Sequence, residues 1–175
     1  MIEIRDHRAD DWDAMAAAHD AARLQELGWS VGVEAFLPLA QTAEDEGLFD
    51  DQLWVAELDG AVVGFLAFAD EELTWMYVHP DHQGRGVGTA LIEHLFAHVE
   101  AAGIDRVELT VLDGNPARRL YERSGFTLVE TKAGGLVGNE SFPATGHVME
   151  WRRAPARVSG QEAGRSRTRT GTDRP

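Results

Sequence analysis

Between Gln83 and Thr89 the chain reads Gln-Gly-Arg-Gly-Val-Gly-Thr. Glycines spaced this closely let the backbone adopt positive φ and let a ligand approach it. The stretch follows Glu72 to Val78, whose aromatic and β-branched residues read as a strand. His79-Pro80 stops that strand, because proline has no N–H for a ladder. An amphipathic segment that reads as a helix comes next. The first N–H groups of a helix lack intrahelical partners and carry partial positive charge. Strand, glycine turn and helix start together make a phosphate cradle. The dinucleotide pattern G-x-G-x-x-G, begun at Gly84, needs glycine or alanine where Thr89 stands, and a P-loop needs a lysine that is not there.

Other chemistries are narrowed by residue type. There is no cysteine, so disulfides, thiolate nucleophiles and cysteine metal sites are excluded. His94 and His98 stand i, i+4 on one predicted helix, but no glutamate follows His94 as H-E-x-x-H requires, and they read as a polar helix face. His79 and His147 are candidates for the site only through the fold. No Ser-His-Asp arrangement is suggested.

What Gln83, Gly86 and Gly88 do meet is Q/R-x-x-G-x-G/A, with Arg85 inside it. A second motif, Asn-Pro-Ala-Arg-Arg-Leu-Tyr-Glu-Arg-Ser-Gly-Phe over 115–126, places Ala117, Tyr121, Gly125 and Phe126 in the register of N-x-x-A-x-x-x-Y-x-x-x-G-F. With both motifs the chain resembles the GCN5-related N-acetyltransferase (GNAT) family over roughly residues 2–151, most sharply over 72–126. Asn115 stands one place closer to Tyr121 than the motif's asparagine, and Gly114 holds the expected position. Two roles are therefore open for Asn115, a cofactor contact or a helix N-cap.

The resemblance implies an α/β (α+β) fold, a mixed twisted sheet of about six to seven strands with about four helices. In it, parallel strands 72–78 and 106–112 splay apart at a cofactor cleft. It implies acetyl-coenzyme A as co-substrate, with backbone groups near Met76 and Val78 pairing with the pantetheine arm. The N–H groups of Gln83, Gly84, Arg85, Gly86, Val87, Gly88 and Thr89 would hold the pyrophosphate. Tyr121 is at the family's position for the acid that protonates the leaving thiolate, and a phenol is protonated at neutral pH. A backbone N–H near Val78 would stabilise the thioester oxygen. Glu72, or a water chain, would take the proton of the amine. Period-two alternation puts Glu72 on the strand face of Met76 and Val78, and Glu71 is a weaker substitute. The implied function is an N-acetyltransferase acting on a primary amine of a small molecule or a protein. A non-catalytic acyl-coenzyme A sensor and a nucleotide-binding module are the competing readings. No metal is implied.

The elements that must position these residues follow in order. Ile2 to Arg5 alternates as a strand. Ala9 to Leu27 is alanine-rich with acids in its first turn, which suits a helix start, and Gly28 ends it. Val33 to Glu46 reads as a helical stretch interrupted by Pro38. Trp12, His19, Trp29 and Phe36 in this region are candidates for the acceptor site, and each taken singly reads as core packing. Gln52–Leu58 and Ala61–Ala69 flank Asp59-Gly60, a two-residue hairpin signal, and a second tight turn falls at Asp70-Glu71. From Gly86 to Ala102, Val87, Leu91, Leu95 and Val99 form one buried stripe. Arg106 to Leu112 alternates as a strand, Asn115-Pro116 opens a short helix, and Phe126 to Glu130 is a strand. Gly134 to Phe142 reads as a glycine-containing loop and Gly146 to Trp151 as a last strand. Acceptor determinants are expected in 19–40 and 134–147.

The net charge of −14 is uneven. Seven arginines face only Glu162 and Asp173 over 152–175, leaving residues 1–151 with 9 basic and 28 acidic side chains, a net of −19. An acidic body disfavours nucleic acid and attracts amines, besides serving solubility. Residues 1–153 are expected to form the acetyltransferase domain. Residues 154–175, nearly free of apolar side chains, are expected to be a disordered arginine-rich tail. The N-terminus lacks a signal-peptide layout and no apolar run can span a bilayer, so a cytoplasmic protein without membrane partners is expected. A homodimer is compatible with the sequence.

Overall fold

The computed structural model describes residues 1–155. Most of the expected tail therefore lies outside the described residues. Among the described residues seven strands form one sheet: β1 (Ile2–Asp6), β2 (Gln52–Leu58), β3 (Ala61–Ala69), β4 (Glu72–Val78), β5 (Arg106–Leu112), β6 (Thr127–Leu136) and β7 (Asn139–Arg152). Their order is β1-β2-β3-β4-β5-β7-β6. All neighbours are antiparallel except β4 and β5, which are parallel. Four α-helices accompany it: α1 (Trp12–Trp29), α2 (Leu39–Thr42), α3 (Val87–Ala101) and α4 (Arg118–Arg123).

Both sheet faces are covered, which explains why β2 and β3 are apolar almost throughout rather than alternating. On one face Trp54, Leu66, Phe68 and Leu73 pack with Val87, Leu91, Leu95 and Val99 of α3 and with Tyr121 of α4. On the other, Val55, Phe65, Ala67 and Trp75 pack with Met15 of α1 and Leu39 of α2. A smaller cluster of Leu27, Ala35 and Leu136 lies beneath the β6–β7 hairpin.

The structure departs from the expected elements in three places. Helix α1 runs through Gly28 to Trp29. The Val33–Glu46 stretch contracts to a 3-10 turn at Val33–Ala35 and the short α2, because Pro38 can only precede a helix here. The expected loop 134–142 is instead a hairpin, with β6 reaching Leu136 and β7 beginning at Asn139. Its glycines serve close strand approach: a Cβ on Gly135 would stand 2.9 Å from the Glu140 carbonyl oxygen. Gly138, at φ +81°, makes the tight turn.

The β3–β4 turn carries two non-glycine residues in the left-handed region, Asp70 (φ 50°) and Glu71 (φ 66°). Such a turn favours Asn-Gly. The double substitution Asp70→Asn, Glu71→Gly is expected to raise stability by about 1 kcal/mol. Thermal unfolding checks this, and a lower melting temperature would show that the Glu71–Arg106 ion pair at 3.6 Å outweighs the strain.

Candidate active site

The parallel strands β4 and β5 meet at one register pair, Glu72 with Glu108, where the Glu108 N–H donates to the Glu71 carbonyl at 2.8 Å. Beyond it the strands part. The gap opens into a cleft of about 490 Å³. Its walls are β4 from Leu73 to Val78, β5 from Leu109 to Val111, the glycine loop, and Asn115 to Tyr121. The splay leaves backbone amides of β4 without ladder partners on this side, so an extended ligand arm can take them.

At the open end lies the glycine loop. A 3-10 turn at Pro80–His82 follows β4, and the Gln83 side-chain amide donates to the Val78 carbonyl at 3.1 Å. Gly84 and Gly86 have φ of +71° and +88°, and Gly86 is the N-cap of α3. Among the described residues, the N–H groups of residues 84–89 find no backbone acceptor, and the first helical bond runs from Ala90 N–H to the Gly86 carbonyl at 3.0 Å. These are the orphan donors of a helix start, gathered on a loop that bends toward the cleft. Gly88 lets α3 approach α4: a Cβ there would lie 2.8 Å from the Leu120 side chain. Met76, Val78, Gln83, Gly84, Gly86, Val87, Gly88, Thr89 and Asn115 all line the cleft. Arg85 does not; its guanidinium lies 3.3 Å from His82 Nδ1 on the outer side of the loop.

Tyr121 lines the same cleft and is only 6% exposed. Its ring packs edge-on against Phe126 at 5.9 Å. Burial, with Glu26 adding to it, pushes its phenol pKa well above the ordinary value, so it holds its proton throughout the physiological range. Asn115 lines the cleft, and both polar groups of its side chain are engaged within the chain. Its side-chain oxygen accepts from the Ala117 N–H at 2.8 Å, an N-terminal cap, while its amide donates to Glu26 at 2.8 Å from the wall of the cleft. The one-residue offset of the motif has a steric reason. Gly114 has φ +86°, and a Cβ there would collide with the Trp29 carbonyl at the end of α1. No asparagine fits at 114.

A second pocket of about 230 Å³ adjoins the first across β4, with Glu26, Leu73, Thr74, Trp75, Tyr77 and Thr110 common to both. Glu72 lies in this second pocket, which corrects the expectation that it shares a face with Met76 and Val78. The β3–β4 register passes from Ala67↔Trp75 to Phe68↔Leu73, so Thr74 is an extra, bulged residue. One inserted residue reverses the alternation. Leu73, Met76 and Val78 face α3, while Trp75 and Tyr77 face α1, and Glu72 goes with the latter. Burial raises its pKa, as do the neighbouring Glu108 and Asp51 carboxylates. Glu71 is turned to Arg106.

Of the four residues expected at the acceptor site, His19 lines the second pocket and Trp29 the first. Trp12 packs on Phe49 at 5.7 Å, and Phe36 belongs to the hairpin cluster. His79 accepts from the Asp81 N–H within its own turn. His147 bridges Asp113 and Thr131, each at 2.9 Å. Neither lines the two pockets. His94 and His98 lie edge-on to Trp54 at 5.0 Å rather than forming a free polar face. Among the described residues no cluster of side chains could hold a metal ion.

Sequence reasoning missed Arg23 and Glu26. Arg23 donates to Glu26 at 2.7 Å and to the Val137 carbonyl at 3.3 Å, tying α1 to the hairpin. The signal was present: His19, Arg23 and Glu26, at i, i+4 and i+7, are polar residues on the α1 face that packs on the sheet. The second pocket is acidic, with Glu26, Glu46 and Glu72 against Arg23. Burial raises the pKa of Glu46, which Arg23 partly offsets. Thr42, 8% exposed, has a side-chain oxygen with no partner among the described residues.

This geometry can be set beside known proteins. Residues 49–128 match the family model described as the acetyltransferase (GNAT) domain. Over residues 49–128 the chain is a GNAT domain. Curated relatives of this GNAT chain include the mycothiol acetyltransferase of Propionibacterium freudenreichii, 34% identical over 142 residues, which is 74% of this chain and 44% of the relative. The peptidyl-lysine N-acetyltransferase YjaB of Salmonella typhimurium is 33% identical over 54% of this chain and 64% of its own. The chain spans less than half the length of the mycothiol acetyltransferases it matches. Among solved structures, a GCN5-related N-acetyltransferase of Rhodopseudomonas palustris superposes with a TM-score of 0.72 at 24% identity, covering 86% of this chain and 95% of that one. The PaiA N-acetyltransferase of Thermoplasma acidophilum, in complex with coenzyme A, gives 0.70 at 18% identity, covering 87% and 99%. The fold is the GNAT fold, with the splayed parallel pair at its centre. Among the described residues no helix is long and apolar enough to cross a membrane.

Proposed function

We propose that this chain is an acetyl-coenzyme A-dependent N-acetyltransferase whose acceptor is a primary amine. The observation that carries the reading is the conjunction of the orphan N–H groups of residues 84–89 with the Tyr121 phenol in one cleft, opened by the β4–β5 splay. The donor set fits a pyrophosphate: backbone N–H groups at a helix start, glycines that allow close approach, and no carboxylate on the loop. Gly84, Gly86, Val87, Gly88 and Thr89 would hold it through their backbone N–H groups; the Gln83 N–H is spent on the Pro80 carbonyl at 3.2 Å, and Arg85 does not line the cleft. Met76 and Val78 would pair with the amides of the arm. Acetyl-coenzyme A supplies an activated acetyl thioester.

The chain's own groups do the rest. The cleft and the second pocket bring thioester and amine together across Tyr77 and Thr110, which contributes through orientation. The acidic lining of the second pocket attracts an ammonium group. The amine must lose a proton before its nitrogen can attack. A free N–H on β4 near Val78 would stabilise the thioester oxygen, and Tyr121 would protonate the departing thiolate. Glu72 precedes Tyr77 by five positions, roughly 16 Å of strand, so as a base it would act through water. Acceptors of both kinds named by the relatives, a small molecule and a peptidyl-lysine, are compatible with this site.

Calorimetry with acetyl-coenzyme A, followed by thiol release across a panel of amines, tests the reading. Binding with release for at least one amine is expected. No binding would mean that the loop does not hold the cofactor, and the assignment would fall with it.

A further inference from the structure

We propose that His19, held by Asp20, is the immediate proton acceptor for the amine substrate; this rests on the acetyltransferase reading above. His19 projects from α1 into the second pocket and is 2% exposed. Its Nδ1 lies 2.8 Å from Asp20 Oδ1. The same oxygen accepts the Leu39 N–H at 2.8 Å, so the carboxylate is fixed by the start of α2. A carboxylate at Nδ1 selects the tautomer with the proton there and leaves Nε2 as an acceptor. Among the described residues the ring hydrogen-bonds through Nδ1 alone. A base with a free nitrogen and an orienting carboxylate behind it is the arrangement of an acid–base dyad.

Position favours His19 over Glu72. The imidazole stands edge-on to Tyr77, with ring centroids 4.6 Å apart, and 5.8 Å from Trp75. Tyr77 and Trp75 belong to both pockets, so His19 is at the junction where amine and thioester must meet. Glu72 is at the other end of the gap, where β4 and β5 are still paired. Burial lowers the pKa of His19 while Asp20 opposes that, so the ring is neutral at pH 7 and ready to accept.

The reaction balances. The ammonium gives one proton to His19 Nε2, and the imidazolium is stabilised by Asp20. The amine nitrogen forms the C–N bond as the C–S bond breaks. Tyr121 gives its proton to the thiolate, and the second proton on nitrogen leaves through solvent to restore Tyr121. His19 returns its proton to solvent.

The test uses the full chain and an amine found by thiol release. Because activity requires neutral His19, it should fall as pH drops through the pKa of that residue. The charged and titratable groups facing it are Asp20, Arg23 and Glu26 of α1, Glu46 beyond α2, and Glu72 and Tyr77 of β4. His19→Gln is expected to lower kcat about 100-fold or more, with acetyl-coenzyme A affinity within about three-fold, and to remove the acidic limb of the kcat/KM profile. Imidazole should partly restore His19→Ala. Asp20→Asn keeps the ring and the oxygen for Leu39, and is expected to lower kcat to a similar degree with unchanged thermal stability, which decides the matter should His19→Gln misfold. Retention of turnover and of the acidic limb in His19→Gln, or normal turnover in Asp20→Asn, would overturn the proposal, most directly if Glu72→Gln removed the limb instead. A wild-type protein that binds acetyl-coenzyme A but acetylates no amine would refute the enzyme reading itself, before any variant is made.

Discussion

Tyr121→Phe is expected to lower turnover by about 100- to 1,000-fold while leaving acetyl-coenzyme A affinity within about two-fold. The reason is that the substitution removes only the hydroxyl. The ring keeps its place between the sheet and α3 and its contact with Phe126, so the cleft wall is preserved. What disappears is a proton that burial keeps on the oxygen at every physiological pH. A thiolate leaving without a proton donor is the costly case, so the loss should appear in kcat rather than KM. It should also shrink for acyl donors with more acidic thiols, whose anions leave unaided. Unchanged turnover would remove Tyr121 as the acid and leave it a packing residue.

Gly86→Asp should abolish acetyl-coenzyme A binding, read by calorimetry as a loss of at least about 100-fold. The mechanism differs from simple obstruction. A Cβ at 86 would approach the Ile2 side chain at 3.7 Å, so the new side chain starts away from the cleft. Gly86 is the N-cap of α3, so a carboxylate there places negative charge beside the N–H groups of the next turn. These are the donors proposed for the pyrophosphate. Two like charges about 4 Å apart in a partly screened site oppose each other by about 4 kcal/mol, enough for the expected loss. The left-handed φ of +88° costs an aspartate about 1 kcal/mol, and the helix dipole acting on the new carboxylate offsets part of it. The melting temperature should therefore change little. Binding within about three-fold of the wild type would contradict the cradle.

The chemistry-bearing motifs were legible because they are local. A glycine loop between a strand and a helix declares itself through φ requirements and orphan N–H groups, which nearby residues decide. The same holds for the Asp59-Gly60 hairpin and for the α3 stripe, whose residues pack as the periodicity predicts. The 134–142 segment misled because glycine marks both loops and close strand crossings; only the cross-strand contact of Gly135 with Glu140 distinguishes them.

Local sequence settles the wall of the first cleft: the strand, the loop, the helix and the tyrosine that line it. It does so because each depends on neighbours a few residues away. The second pocket depends instead on the packing of elements distant in the chain. One bulged residue, Thr74, moved Glu72 to the α1 face, a reversal invisible to a strict two-residue period. The approach of α1 to the β5–α4 loop required glycine at 114 and brought Glu26 to Asn115 across 89 positions of sequence. His19, Arg23 and Glu26 share one helix face by their spacing, but they line a pocket only because α1 packs against β4.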